Sequence, residues 1–187
     1  MDSVLSVVAD AQRVAAVRRL LLLQRPPNPI LDRLTRLAAR LLEAPISLLT
    51  LVDSDRQVFL SAYGLPEPIR TERQTGLEYS ICQQAVASGR PLVVTDADAD
   101  AVLRGNAAVT EYGVKAYAGM PLITWDGHAV GTLCVIDMVV RDWTDDQLVA
   151  LSHLADIAMD EIVPEVAGRA VDGSHGRQAV GSRWWRS

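Results

Sequence analysis

A chain of 187 residues, 49% hydrophobic and 22% charged, has the composition of a soluble globular domain with short extensions. Its net charge of −5 and pI near 5.1 argue against a broad nucleic-acid surface, which needs a basic face. No apolar run approaches the roughly 20 residues of a membrane span, and no basic leader with an apolar core opens the chain, so a cytoplasmic location is expected.

Residues from about Ser3 to Gln24 read as one helix. Val4, Val7, Ala11, Val14 and Leu21 form a seam suited to another helix, with Arg13, Arg18 and Arg19 on the intervening face. Residues 1–25 are therefore set apart as an N-terminal helix and possible dimer seam. Arg25-Pro26-Pro27 breaks it. Asn28 can cap a second helix with Pro29 in its first position, and Ile30, Leu34, Leu37 and Leu41 give that helix an apolar stripe. Residues 28–163 then form the domain proper. Ile46 to Val52 is an apolar strand, Asp53 to Arg56 a turn, and Gln57 to Tyr63 the returning strand. Gly64 to Gln74 reads as an irregular loop. Thr75 to Ser88 reads as a helix stopped by Gly89, and Pro91 to Thr95 as a short strand.

Asp96, Asp98 and Asp100 alternate as in a calcium loop, but Ala101 stands where that loop needs Gly and Ala107 where it needs a bidentate Glu. Turn and cap roles explain these carboxylates better. No metal site is expected. A short helix is expected within Ala101 to Gly113. Ala118 to Thr124 and Ala129 to Met138 then form a nearly uncharged hairpin around Asp126-Gly127. A two-residue type I′ turn is expected there, with Trp125 facing His128. Such low polarity calls for cover on both faces. Thr144 and Gln147 make a capping box for a last helix whose stripe runs from Leu148 through Leu151, Ala155 and Ala158 to Ile162. Residues 168–187, rich in Gly, Ser and Arg, are expected to be a disordered tail. Its Trp184-Trp185 pair, flanked by Arg183 and Arg186, could anchor to a partner or membrane surface.

Hairpin-connected strands with layered helices imply an α+β fold. Residues 32–65 (DRLTRLAARLLEAPISLLTLVDSDRQVFLSAYGL), 79–100 (YSICQQAVASGRPLVVTDADAD) and 117–137 (YAGMPLITWDGHAVGTLCVID) resemble the GAF domain. The resemblance implies an antiparallel five- or six-stranded sheet. Terminal helices would lie on one face, pairing two subunits into a homodimer, and pocket-forming helices and loops on the other. It also implies a ligand pocket lined by Tyr79, Ser80, Cys82, Gln83, Asp96, Asn106 and Tyr117, a few polar groups among apolar ones. Each of these has a simpler reading: Asp96 and Asn106 as caps, Tyr117 as a core aromatic with its hydroxyl at the rim, Cys82 as packing.

Specialised GAF branches can be weighed by residue. The Asn-Lys-Phe-Asp-Glu set of cyclic-nucleotide binders is not matched, since Lys115 and Phe59 are the only residues of their kinds and stand in the wrong order. Bilin attachment commonly uses a Cys followed by His, whereas Gln83 follows Cys82 and Val135 follows Cys134. Haem would need His128, His153 or His175, none in a favourable context. Free methionine sulfoxide reductases share the fold and cycle cysteines through a disulfide. Here Cys134 lies mid-strand and reads as an inert thiol, so that chemistry is the weaker reading. No other catalytic set is evident.

Three functions follow: a non-catalytic, small-molecule-sensing regulatory module acting through a separate signalling partner, a sulfoxide reductase-like enzyme, or a scaffold whose pocket is filled by its own side chains. The sequence names neither the ligand nor any cofactor.

Overall fold

Six strands form one antiparallel sheet, with Ile46–Val52 and Ala129–Asp137 paired at its middle. The computed structural model describes residues 2–23 and 28–163. In chain order the elements are α1 (Asp2–Val8), α2 (Ala11–Leu23), α3 (Pro29–Leu41), β1 (Ile46–Val52), β2 (Arg56–Tyr63), α4 (Ile69–Glu72), β3 (Gln74–Gly76), α5 (Cys82–Ser88), β4 (Leu92–Val94), α6 (Ala107–Thr110), β5 (Ala116–Ile123), β6 (Ala129–Asp137) and α7 (Asp145–Ile162). The strand order is β3-β2-β1-β6-β5-β4. Leu133 of β6 pairs with Leu49 of β1 on one side and Met120 of β5 on the other, both antiparallel.

Side chains alternate across a strand, so the central strands feed two cores. Leu49, Leu51, Ala118, Met120, Leu122, Leu133 and Val135 face α2, α3 and α7. Leu48, Val52, Tyr117 and Cys134 face the opposite layer, which includes Ile81, Cys82 and Val86 around α5 and Val109 of α6. The caps follow the residues that encode them. The Asn28 side chain accepts from Ile30 N–H and Leu31 N–H ahead of Pro29, and Thr144 and Gln147 form a complete capping box. Trp143 Nε1 donates to Val94 O at 3.2 Å, tying the entry of α7 to β4.

The structure departs from the sequence reading in the stretch Gly64 to Gln74, read as irregular loop but holding α4 and the start of β3, and at three further places. The N-terminal helix is two helices, not one. Asp10 accepts from Arg13 N–H at 2.9 Å and caps α2. Arg13, only 3% exposed, turns back so that its Nε donates to Val8 O at 3.0 Å and its Nη1 to Val52 O at 2.7 Å. A cation at the end of α1 and at the end of β1 thus fixes the break. The buried apolar residues here are Val8, Val14, Ala16, Val17 and Leu20, so α1 lies on the α5 layer and α2 on the layer of α3 and α7. Of the expected seam only Val14 is buried, within this domain's own packing.

Second, the segment read as a helix from Thr75 begins with β3, which pairs with β2, followed by a 3₁₀ turn at Leu77–Tyr79. Gln57 opposite Thr75 captures this stretch as an edge strand. Third, the β5–β6 hairpin turn is not type I′. Only Gly127 takes a positive φ, 87°. Gly127 N–H donates to Thr124 O at 2.9 Å, and Thr124 N–H to His128 O at 3.0 Å. The loop is therefore Trp125-Asp126-Gly127, closed by Thr124 and His128, the three-residue form with a left-handed third position. Trp125 points outward, 83% exposed. The tail expected over residues 168–187, with its Trp184-Trp185 pair, lies outside the described residues.

Replacing Arg13 with Met leaves the Val8 and Val52 carbonyls without their charged donor. A charge-assisted hydrogen bond of this kind is worth about 1.5–3 kcal/mol. Denaturant unfolding should show that loss. Hydrogen exchange should show α1 amides losing protection while β5 and β6 keep theirs.

Candidate functional site

The sequence Tyr117-Ala118-Gly119 builds the centre of the α5-facing layer. A Cβ placed on Gly119 would lie 2.2 Å from the Tyr117 hydroxyl oxygen and 2.6 Å from its Cζ. The absence of that atom lets the ring lie along its own strand. Its hydroxyl then donates to Cys82 Sγ at 3.4 Å. Cys134, on the neighbouring strand, brings its Sγ to 3.9 Å from Cys82 Sγ. Thr50 and Thr132, paired across β1 and β6, place their hydroxyl oxygens 3.3 Å apart on the same face. Tyr117 is fully buried, as are Thr50, Thr132 and Cys134, and Cys82 is nearly so.

Cys82 is held from the helix side by its upstream turn. Ser80 Oγ donates to Gln57 Oε1 at 2.8 Å, and Gln57 Nε2 donates to Thr75 Oγ1 at 2.8 Å. Ser80 O accepts from Gln83 Nε2 at 2.9 Å and from Asn106 Nδ2 at 3.4 Å. Gln57, itself buried, thereby joins β2, β3 and the α5 entry through one amide.

Of the seven residues expected to line a pocket, Ser80, Cys82, Gln83, Asn106 and Tyr117 come together. Asn106 also caps α6 by accepting from Ala108 N–H. Tyr79 sits outside the cluster, donating to Glu111 Oε2 at 2.8 Å and packing against Tyr112. Asp96 closes a turn by accepting from Asp98 N–H and Ala99 N–H. Tyr117 is not at a rim; no part of it reaches solvent. Sequence reasoning treated Cys134 as inert and did not single out Thr50, Gln57, Gly119 or Thr132. The Gly two residues after Tyr117 was the available signal for the ring's path.

Two clefts open near the hairpin turn, and none of the cluster side chains lines either of them. One, of about 500 Å³, separates α2 (Gln12, Ala15, Ala16, Arg19) from Asp126 and His128 of the hairpin turn. The other, of about 300 Å³, runs between α1, the C-terminal end of α5 and the same turn.

The electrostatics of the cluster are asymmetric. Hydrogen bonding from Cys134 depresses the Cys82 thiol to about 6, helped by Thr132, Tyr117 and Thr50 and opposed by burial. Burial first, and then Cys82, push the Cys134 thiol well above its ordinary range. Burial and the neighbouring sulfurs raise Tyr117 in the same way. Cys134 and Tyr117 therefore stay protonated and donate, while Cys82 accepts.

The GAF domain family matches residues 26–162. The chain belongs to the GAF domain family. A cyclic di-GMP phosphodiesterase of Pseudomonas aeruginosa is 34% identical over 155 residues, covering 82% of this chain and 26% of that protein. The GAF domain of an Acinetobacter phosphoenolpyruvate-protein phosphotransferase superposes with a TM-score of 0.59 at 13% identity, over 82% of this chain and 94% of that one. The free methionine-R-sulfoxide reductase of Neisseria meningitidis, solved with its substrate, gives 0.56 at 22% identity, over 85% and 83%. These two likenesses establish the GAF fold. The six-stranded antiparallel sheet with helices on both faces settles the strand count left open by the sequence. No described helix is long and apolar enough to cross a membrane.

Titrating thiolate absorbance should place one of the two GAF-domain thiols near pH 6. Cys134→Ala removes the largest cause of that depression, so the midpoint should move upward. The sign for stability follows. An unfolded Cys titrates at about 8.5, so between there and about 6 the unfolded chain holds the extra proton. This contribution is present above pH 8.5 and is lost as pH falls through about 6.

Proposed function

We propose that this GAF domain is a non-catalytic, small-molecule-sensing regulatory module that acts in cytoplasmic signal transduction as a homodimer and passes its output to a separate partner. The observation that carries the reading is the division of labour across the sheet. One face closes over converging polar groups, namely Ser80, Gln83, Asn106, Tyr117 and Cys82. The other face carries helices that set a few apolar side chains among the charged ones on their outer side, Arg33, Arg36 and Arg40 on α3 and Asp156 and Asp160 on α7. Ile30, Leu37 and Leu41 of α3 and Ile157 of α7 are 46%, 43%, 49% and 50% exposed. Positions 30, 37 and 41 follow the spacing of a helix–helix seam. This makes α3 and α7, rather than residues 1–25, the better candidate for a dimer interface. The family membership and the similarity to a stretch of a second-messenger phosphodiesterase support a signalling role.

A guest enters this reading by opening the α5–α6 roof, because the cluster residues are packed against one another. Tyr79 and Asp96, which lie apart from the cluster, are then gate and rim residues. The reductase reading draws support from the 3.9 Å sulfur contact. It is the weaker one because both sulfurs are buried and neither lines the clefts near the hairpin turn.

Mass spectrometry of natively purified protein should show a retained small molecule that is released on unfolding and that raises the melting temperature when added back. A folded protein with no retained mass and no melting shift would move the assignment to scaffold. Turnover of free methionine sulfoxide should be undetectable, and steady turnover would move it to the reductase.

Leu37→Glu combined with Ile157→Glu puts charge on the exposed helical face without touching the buried one. Light scattering should report half the native mass, and an unchanged mass would exclude that seam.

A further inference from the structure

The chain contains two cysteines in 187 residues, separated by 52 positions, and the fold sets their sulfurs 3.9 Å apart. One stands at the start of α5 and the other mid-way along β6, so the contact bridges the helical layer and the sheet. Both are free thiols. Apolar packing alone would be served by Ala or Val at either place. Instead the two sulfurs share a face with three hydroxyls, those of Tyr117, Thr50 and Thr132. Hydroxyls around a sulfur stabilise the thiolate, the form that reacts with oxidants.

We propose that Cys82 and Cys134 are an oxidation site, closing to an intramolecular disulfide on exposure to a small uncharged peroxide and so fastening α5 to the central strand. The Cys82 thiolate attacks one peroxide oxygen and breaks the O–O bond. Cys82 becomes the sulfenic acid, and the departing oxygen leaves as hydroxide, protonated to water. Cys134 sulfur then attacks the sulfenic sulfur, and its proton leaves with the displaced hydroxyl as a second water. The two thiols together lose two electrons and two protons, and one peroxide becomes two waters. The sulfurs must approach to a bond length of about 2.05 Å.

The division of roles follows from the surroundings. Cys82 accepts the Tyr117 hydroxyl and is the attacking sulfur. Cys134, raised by burial, is the resolving one. Access sets the oxidant class. The cleft between α1 and the end of α5 is lined by Val86 and Ala129, which pack in the same core as both cysteines. A molecule the size of hydrogen peroxide can pass such packing during local opening, whereas a bulky disulfide cannot. The proposal rests on the thiol geometry and holds whether or not a small molecule binds this face.

The test uses the full chain and hydrogen peroxide near stoichiometry. Alkylation after denaturation, followed by peptide mapping, should show a Cys82–Cys134 linkage lacking two hydrogens, reversed by dithiothreitol. Cys134→Ser should instead accumulate a dimedone adduct on Cys82, and Cys82→Ser should form neither product. Tyr117→Phe, which keeps the ring and removes the donor, should slow the reaction several-fold at neutral pH and move its pH midpoint upward. Two free thiols in the folded, peroxide-treated protein would overturn the proposal. So would a linkage between two chains, or dimedone labelling of Cys134→Ser no faster than of Cys82→Ser. Circular dichroism shows which variants are folded. If a serine variant is not, the wild-type map decides alone.

Discussion

Strand β6 buries every residue except Ile136, and β5 and β1 beside it bury most of theirs. A strand with no face turned to water needs a layer on each side. That requirement, set by the low polarity of residues 116–137, places every helix of the domain. The layer of α2, α3 and α7 covers the Leu133 and Val135 side. The layer with α1, α5 and α6 covers the Cys134 and Tyr117 side. At about 25 cal/mol per Å² of apolar surface removed from water, this two-sided burial is the main drive for folding. Polar groups within it are tolerated because they are paired. Among the described residues, each buried side-chain nitrogen or oxygen has a hydrogen-bond partner.

Within that constraint, close backbone approach decides what fits. A Cβ on Gly131 would lie 1.8 Å from Thr50 O, so the β1–β6 contact depends on a missing side chain just before Thr132. Gly119 does the same for the Tyr117 ring. Both glycines sit mid-strand, where they weaken intrinsic strand preference. In return they bring Tyr117, Thr132 and Cys134 to one spot. The chemistry of Cys82 follows from this steric allowance. A buried thiolate is costly unless donors surround it, and the donors converge here across strand positions, Gly119 and Gly131, that lack side chains.

Much of the fold was legible from residues alone. Asn28-Pro29, Thr144 with Gln147, and Gly89 marked helix ends through local chemistry that needs no tertiary context. The apolar runs gave the central strands for the same reason. What stayed hidden depended on distant partners. β3 is a strand because Gln57 captures Thr75, and periodicity cannot see a partner. The break between α1 and α2 depends on Arg13 reaching Val52 O, a contact absent from any helical pattern. For the site, the resemblance named five residues that converge, but Tyr79 and Asp96 are held elsewhere by Glu111 and by a local turn. The sulfur contact was missed because a mid-strand Cys looks the same in sequence whether its neighbour is leucine or another thiol.

The N-terminal segment links the two layers that the sheet keeps apart. Val8 of α1 packs in the Cys82 layer, while Ala16, Val17 and Leu20 of α2 pack with α3 and α7. Arg13 sits between them and grips the end of β1, and Asp53, the residue after β1, pairs with Arg18 at 3.4 Å. A shift of α5 toward β6 would therefore disturb α1 directly. Through a buried guanidinium with little freedom to move, it would also disturb α2 and the α3 and α7 layer in which α2 packs. The strap supplies a physical route between the face with the thiols and the face with the exposed leucines, one that passes over the ends of the central strands and not through their packed middle.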